Sequence, residues 1–222
     1  MLWQVALRWA IQKISKPFSS VMKRFWFVIA ALGIFSFACQ LSQPLSDAPV
    51  TATSPSVEAI SIQIAHATMI YYEVSGSSAD ELRVQMNQLG PLDLMNGQHY
   101  DARTDWHVSW TWPGYGSNDC DLSKTTVSYD IKVTVPHWQP APDTDQKLIV
   151  QWNGYLNNLA LHEQGHVDSI ARNYIQVKDA IRRATCSTAE QAAQDVLDIF
   201  RQANAEYDQQ TNHGETQGAI FP

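Results

Sequence analysis

The chain has 222 residues, 45% of them hydrophobic and 8 of them Trp, which suits one domain with a real core and excludes disorder of the whole. The formal charge is -7, yet Arg8, Lys13, Lys16, Lys23 and Arg24 all fall in the first 39 residues, where there is no acid. The remainder is therefore more acidic than the total suggests, and nucleic acid is excluded as a natural partner because a phosphate backbone calls for clustered basic groups.

Residues 1–39 read as an export signal. Lys23-Arg24 is a basic n-region, Phe25 to Ala38 an uncharged apolar run, and Ser36-Phe37-Ala38 offers small residues near a cleavage point. That run is short for a membrane-spanning helix. Met22 begins a complete leader by itself, so the basic, partly amphipathic stretch before it is either an upstream extension or part of the protein. Cys39 follows the apolar run directly, as an acylated lipoprotein cysteine does, and would tether the chain to a membrane. The usual Leu is missing at Ser36, so release as a soluble protein and an uncleaved anchor are the other readings. Localisation is expected in the periplasm or cell envelope. Residues 40–56, rich in Ser, Pro, Thr and Ala, form a linker, and residues 57–222 the folded domain.

Ile60 to Val74 is rich in β-branched and aromatic residues and reads as one long strand or two short ones. Ser78-Ala79-Asp80-Glu81 is a capping box that opens a helix to about Leu89, and Gly90-Pro91 stops it, with Gly90 free to turn left-handed. Trp106, Val108, Trp110 and Trp112 share one face of a strand. At that spacing the Trp stripe is core rather than a carbohydrate platform. Val127, Tyr129, Ile131, Val133 and Val135 share a face of the next strand, which should pair with the first in antiparallel fashion. Pro136 and the Pro-rich run after it should close the sheet. Two long helices follow, one from about Asp145 to Ala184. The other starts at a second capping box, Ser187 to Glu190, and runs to about Gln210. Cys120 and Cys186, an even pair in an oxidising compartment, should form a disulfide.

The chemistry concentrates in His162-Glu163-Gln164-Gly165-His166. Two His at i and i+4 project from one helical face and can reach a single Zn²⁺, and a Glu beside the first can act as general base. Gly165 costs about 1 kcal/mol of helix propensity relative to Ala, which close approach of another segment would explain. A catalytic zinc site needs a third protein ligand and an open position. The candidates downstream are Glu190, Glu206, Asp208, His213 and Glu215. If the two helices form a hairpin turning near Thr185, a rise of about 1.5 Å per residue sets His166 level with residue 205 and His162 with residue 209. Glu190 then drops out. Among the others His213 is preferred, because Gly214 permits a turn that aims an imidazole inward. Tyr207 is a candidate oxyanion donor, with a core aromatic as the alternative; His107 could line the cleft, and Asp168 is a surface or supporting charge.

His162-Glu163-x-x-His166-Val167-Asp168, with Tyr207-Asp208-x-x-Thr211-x-His213-Gly214-x-x-Gln217-Gly218-Ala219, resembles the domain-of-unknown-function 922 family of exported bacterial proteins assigned as zinc-dependent proteases. Tyr71-Tyr72-Glu73-Val74 and Tyr100 to Trp106 look like it too, and the resemblance covers about residues 58–222. It implies an α+β, zincin-like metallopeptidase fold with His162, His166 and His213 on the metal. The expectation is a zinc metallopeptidase acting on peptides or proteins, with a small, mostly antiparallel sheet packed on long helices. A zinc-binding structural module and a metal hydrolase of another bond are the rival readings.

Overall fold

The computed structural model describes residues 58–94 and 97–222. The leader, Met22, Cys39 and the linker lie outside them. Among the described residues no helix is long and apolar enough to cross a membrane.

The architecture is α+β. Strand β1 (Thr68–Val74) leads into helix α1 (Ala79–Leu89), followed by β2 (Arg103–Thr111), β3 (Thr126–Trp138), α2 (Gln146–Ala171), α3 (Ile175–Arg183) and α4 (Ala189–Thr211). The sheet order is β1-β3-β2, which leaves β2 on an edge. β2 and β3 pair antiparallel as the alternation predicts. The expectation of a mostly antiparallel sheet needs correction, because β1 joins β3 in parallel and the sheet is mixed. α1 and β2 lie between those two strands in the chain, a connection long enough for a parallel crossover.

Three other boundaries move for local reasons. The first strand begins only at Thr68, since the backbone before it bonds to side chains of α2. Ile60 N–H donates to Asn153 Oδ1 at 2.9 Å and Ala65 N–H to Gln164 Oε1 at 3.0 Å. β3 runs through Pro136 rather than ending there. Pairing with β2 stops at Thr134, so Pro136 has a strand on one side only and its missing N–H is tolerated. The first long helix breaks at residues 172–174, where Asn173 Nδ2 donates to the Ser169 carbonyl at 2.8 Å and competes with the helical ladder.

The caps also differ in part. Ser78 Oγ accepts from Glu81 N–H as expected, and the Glu81 carboxylate reaches back to Ser77 N–H. Thr188 makes no side-chain cap; the Glu190 carboxylate instead accepts from Trp110 Nε1 at 2.9 Å and Tyr115 OH at 2.7 Å. Gly90 is not left-handed (φ -60). A Cβ there would stand 2.1 Å from the Tyr100 carbonyl oxygen, so close approach is what demands Gly.

α2 packs across β2 and β3. It carries Gly154 and Gly165, each costing about 1 kcal/mol of propensity. Against that it buries Trp152, Leu156, Leu159, Val167 and Ile170, each worth about 1.5–3 kcal/mol or more. Tertiary burial therefore holds this helix. Leu161, by contrast, is exposed and takes no part in the packing. The Trp stripe faces inward: Trp112 is buried and Trp106 and Trp110 pack against the core.

Cys120, in the β2–β3 loop, is bridged to Cys186, in the α3–α4 turn. The bridge spans 66 residues and ties the sheet to the hairpin of α3 and α4, the helix that carries Asp208. Replacing both cysteines by Ser is expected to lower stability by about 2–4 kcal/mol, read as a drop in the urea midpoint. An unchanged midpoint would mean that the hairpin is held without it.

Candidate metal centre

α2 sets His162 and His166 one turn apart, and their Nε2 atoms stand 3.3 Å from each other. Asp208, in the last turn of α4, brings Oδ1 to 2.9 Å from His166 Nε2 and 3.3 Å from His162 Nε2. Both histidines are buried, while the Asp208 side chain keeps 31% exposure. Among the described residues these three form the group of donors close enough to hold a metal ion. Zinc bonds of about 2.0–2.1 Å at tetrahedral angles give ligand-to-ligand edges of roughly 3.3–3.4 Å. The 2.9–3.3 Å spacing here is near that size, and two imidazoles with one carboxylate suit the ion chemically.

Glu163 is buried beside the triad, and Thr104 Oγ1 from β2 donates to its Oε2 at 2.6 Å. Burial pushes the Glu163 carboxyl above its ordinary range, although the Thr104 bond and the two imidazoles pull the other way. Burial disfavours charge on His166, but the hydrogen bond and charge of Asp208 outweigh it and hold its pKa above the usual imidazole value. Burial likewise works against the Asp208 carboxylate, and the bonds from His162 and His166 overcome it, holding it well below the carboxylate range.

The group opens into a cavity of about 560 Å³. One wall is the start of β2, through Arg103, Thr104 and Asp105, and Trp106 follows. His213 also lines this cavity. Its Nδ1 is 3.9 Å from Asp208 Oδ1 and its side chain is 62% exposed. Asn212, His213 and Gly214 all have positive φ, a left-handed turn that carries the chain off the end of α4. His213 thus stands at the rim, next to Asp208 rather than inside the three-donor group.

Tyr207 does not line the cavity. Its ring stacks on His162 at 5.2 Å, and its hydroxyl donates to the His162 carbonyl at 3.3 Å. It also accounts for Gly165, where a Cβ would meet the Tyr207 hydroxyl at 2.3 Å. His107 is exposed and faces a neighbouring smaller cavity. Glu206 accepts from Gln202, Glu215 from Asn212, and Asp168 pairs with Arg172 at 2.5 Å.

Three polar residues at the site have no role in the sequence reading, although Thr104 and Gln217 fall in the stretches that carry the family resemblance. Thr104 holds Glu163, Asn204 Oδ1 lies 2.7 Å from His166 Nδ1, and Gln217 Oε1 lies 2.9 Å from His162 Nδ1. Asn204 could have been found, since it precedes Asp208 by one helical turn on the same face.

The family model described as a bacterial protein of unknown function (DUF922) matches residues 69–214, more than half of the chain. The chain belongs to the DUF922 family. The match runs from β1 to just past α4, so it takes in His162, Glu163, His166, Asp208 and His213 and stops before Gln217. No curated protein and no solved structure matches the chain.

Proposed function

We propose that this DUF922 protein is a zinc-dependent hydrolase of the zincin type that cleaves peptide bonds in the cell envelope. The observation that carries the reading is a His–His–Asp donor group whose two imidazoles are buried, with a buried carboxylate beside it, both open to one cavity. His162, His166 and Asp208 would hold the ion, which when bound supplies Lewis acidity to a carbonyl and makes water acidic enough to act near neutral pH. Glu163 then accepts the proton of the attacking water and delivers it to the leaving amine. Thr104 pins one carboxylate oxygen and leaves the other free for that exchange. His213 at the rim is placed to donate to an oxyanion. β2 is an edge strand along the cavity wall, where an extended peptide can lie.

The rival readings fare less well. A purely structural zinc site has no use for Glu163, a carboxylate buried at a cost with Thr104 as its hydrogen-bond donor. An anionic substrate would want basic anchors, and the lining offers Arg103, already paired with Asp105 at 2.9 Å, among Asp93, Asp101, Asp105 and Asp208. The apolar run and basic residues of the leader support export, and with it envelope proteins or wall peptides as the proposed substrates.

The test is metal content of the full chain, with peptide-library cleavage measured alongside. About one zinc per chain is expected in the wild type. His162→Ala, His166→Ala and Asp208→Ala should each weaken binding by more than about 100-fold, beyond the effect of a merely supporting contact. His213→Ala should keep the zinc and lose turnover. If His213→Ala loses the metal while Asp208→Ala keeps it, His213 is the third ligand. A wild type that refuses zinc sinks the proposal.

A further inference from the structure

His162 and His166 offer the same nitrogen, Nε2, to the donor group, and in each the other nitrogen meets a side-chain amide. The orientation of the Asn204 amide is set from outside the site. Asn204 Nδ2 donates to the Phe200 carbonyl at 2.8 Å, so its carbonyl oxygen must face His166 Nδ1. A carbonyl oxygen can only accept, so His166 Nδ1 must carry a proton, which leaves Nε2 as the nitrogen that would give its lone pair to a bound ion. Gln217 is held against His162 by a ring of bonds through Tyr207, whose hydroxyl also lies 3.4 Å from Gln217 Oε1. Its Nε2 donates to the Tyr207 hydroxyl at 3.0 Å, that hydroxyl donates to the His162 carbonyl, and Gln217 Oε1 accepts from His162 Nδ1.

Gln217 stands in the tail that follows α4, and the tail is held at several points. Asn158 Nδ2 donates to the Gly218 carbonyl at 3.0 Å, and Arg83 donates to the Phe221 carbonyl at 2.9 Å. The Phe221 ring is buried against Trp152 and Tyr155. Gly214 lets the chain pass close to the ligand itself, since a Cβ there would come within 3.0 Å of the His162 ring.

We propose that Gln217 and Asn204 are positioning residues that fix His162 and His166 with the proton on Nδ1, and that the C-terminal tail is thereby a working part of the metal site. The inference rests on the metal-binding reading above. Both partners are neutral amides, so they set the proton and the ring angle without adding negative charge. Asp208 stays the sole anion of the donor group.

The experiment uses the full chain and Zn²⁺, with affinity read by chelator competition and ring protons by ¹H NMR of the zinc-loaded protein. Wild type should show two slowly exchanging Nδ1–H resonances. Gln217→Met keeps the volume and removes the acceptor; it should lose one resonance and weaken zinc binding by roughly 10–100-fold. Gln217→Glu restores an acceptor and should return both to the wild-type range. Asn204→Leu and Asn204→Asp should behave as the same pair at His166, which keeps the test open should one variant fail to fold. Wild-type affinity and both resonances in Gln217→Met and Asn204→Leu would overturn the proposal. So would failure of Glu and Asp to rescue, since the amides would then serve packing alone. Wild type that binds no zinc overturns this inference and the metal reading together, whereas zinc bound equally by wild type and variants overturns this inference only.

Discussion

Glu163→Gln is expected to cut peptide hydrolysis by about 10²–10⁴-fold, the usual contribution of a positioned general base, while zinc content stays at the wild-type level. The two readouts separate because Glu163 lies outside the three-donor group. The replacement keeps the shape and an acceptor for Thr104 Oγ1, so the local bond survives. In the metal-free protein the same change should raise stability, on the order of 1 kcal/mol. A buried carboxylate with one hydroxyl donor is a poorly compensated charge, and an amide of equal volume removes it. That corresponds to roughly 2–4 °C in Tm for a domain of this size. Gain of stability with loss of activity is what a residue kept for chemistry should show. Turnover by zinc-loaded Glu163→Gln at the wild-type rate would remove Glu163 from the mechanism.

What could be read from the sequence was local. The i, i+4 spacing of His162 and His166 is a property of one helix, and the Nε2 atoms do converge. Period two in residues 106–112 and 127–135 gave two strands and their buried faces, since alternation needs no knowledge of the partner. The rise per residue set positions near 205 and 209 level with His166 and His162, and Asn204 and Asp208 are found there. Rise fixes the level on a helix and leaves open which side faces the site. Asp208 and His213 could not be ranked by it, and the preference for His213 rested on the turn that Gly214 permits and on the family resemblance. The left-handed turn at Asn212–Gly214 in fact sets His213 on the rim.

The parts that stayed hidden depend on distant partners. β1 beside β3 is a pairing across about sixty residues, and nothing in residues 68–74 names its neighbour. Residues 60–67 have a strand's composition, yet Asn153 and Gln164 of α2 take their backbone groups. Thr104 and Gln217 are ordinary polar residues until folding sets them against Glu163 and His162.

Asp101→Ala should be among the most destabilising single changes in the domain, at about 3–5 kcal/mol. Arg83 donates to both carboxylate oxygens at 2.6 and 3.0 Å, and the buried Tyr155 hydroxyl donates to Oδ2 at 2.7 Å. Both side chains of the ion pair are about a quarter exposed, so Coulomb attraction by itself is worth less than in a fully buried pair. The larger cost is what removal leaves behind: a half-buried guanidinium without its anion and a buried hydroxyl without its acceptor, the latter about 1–3 kcal/mol. Tyr72 OH donates to the Asp101 carbonyl, so the residue anchors the strand entry through its backbone as well. Thr104 is three residues on, and Arg83 also grips the tail at Phe221. The same variant should therefore loosen both Glu163 and Gln217, lowering turnover and zinc affinity together in whatever fraction stays folded. Arg83→Met with Asp101→Leu, which removes both charges, should be less destabilising than the single changes Arg83→Met and Asp101→Leu would predict by simple addition. Thermal melts of the four proteins in the cycle decide it. Additive losses would mean that Asp101 supports the loop through Tyr155 and its backbone, with the ion pair contributing nothing of its own.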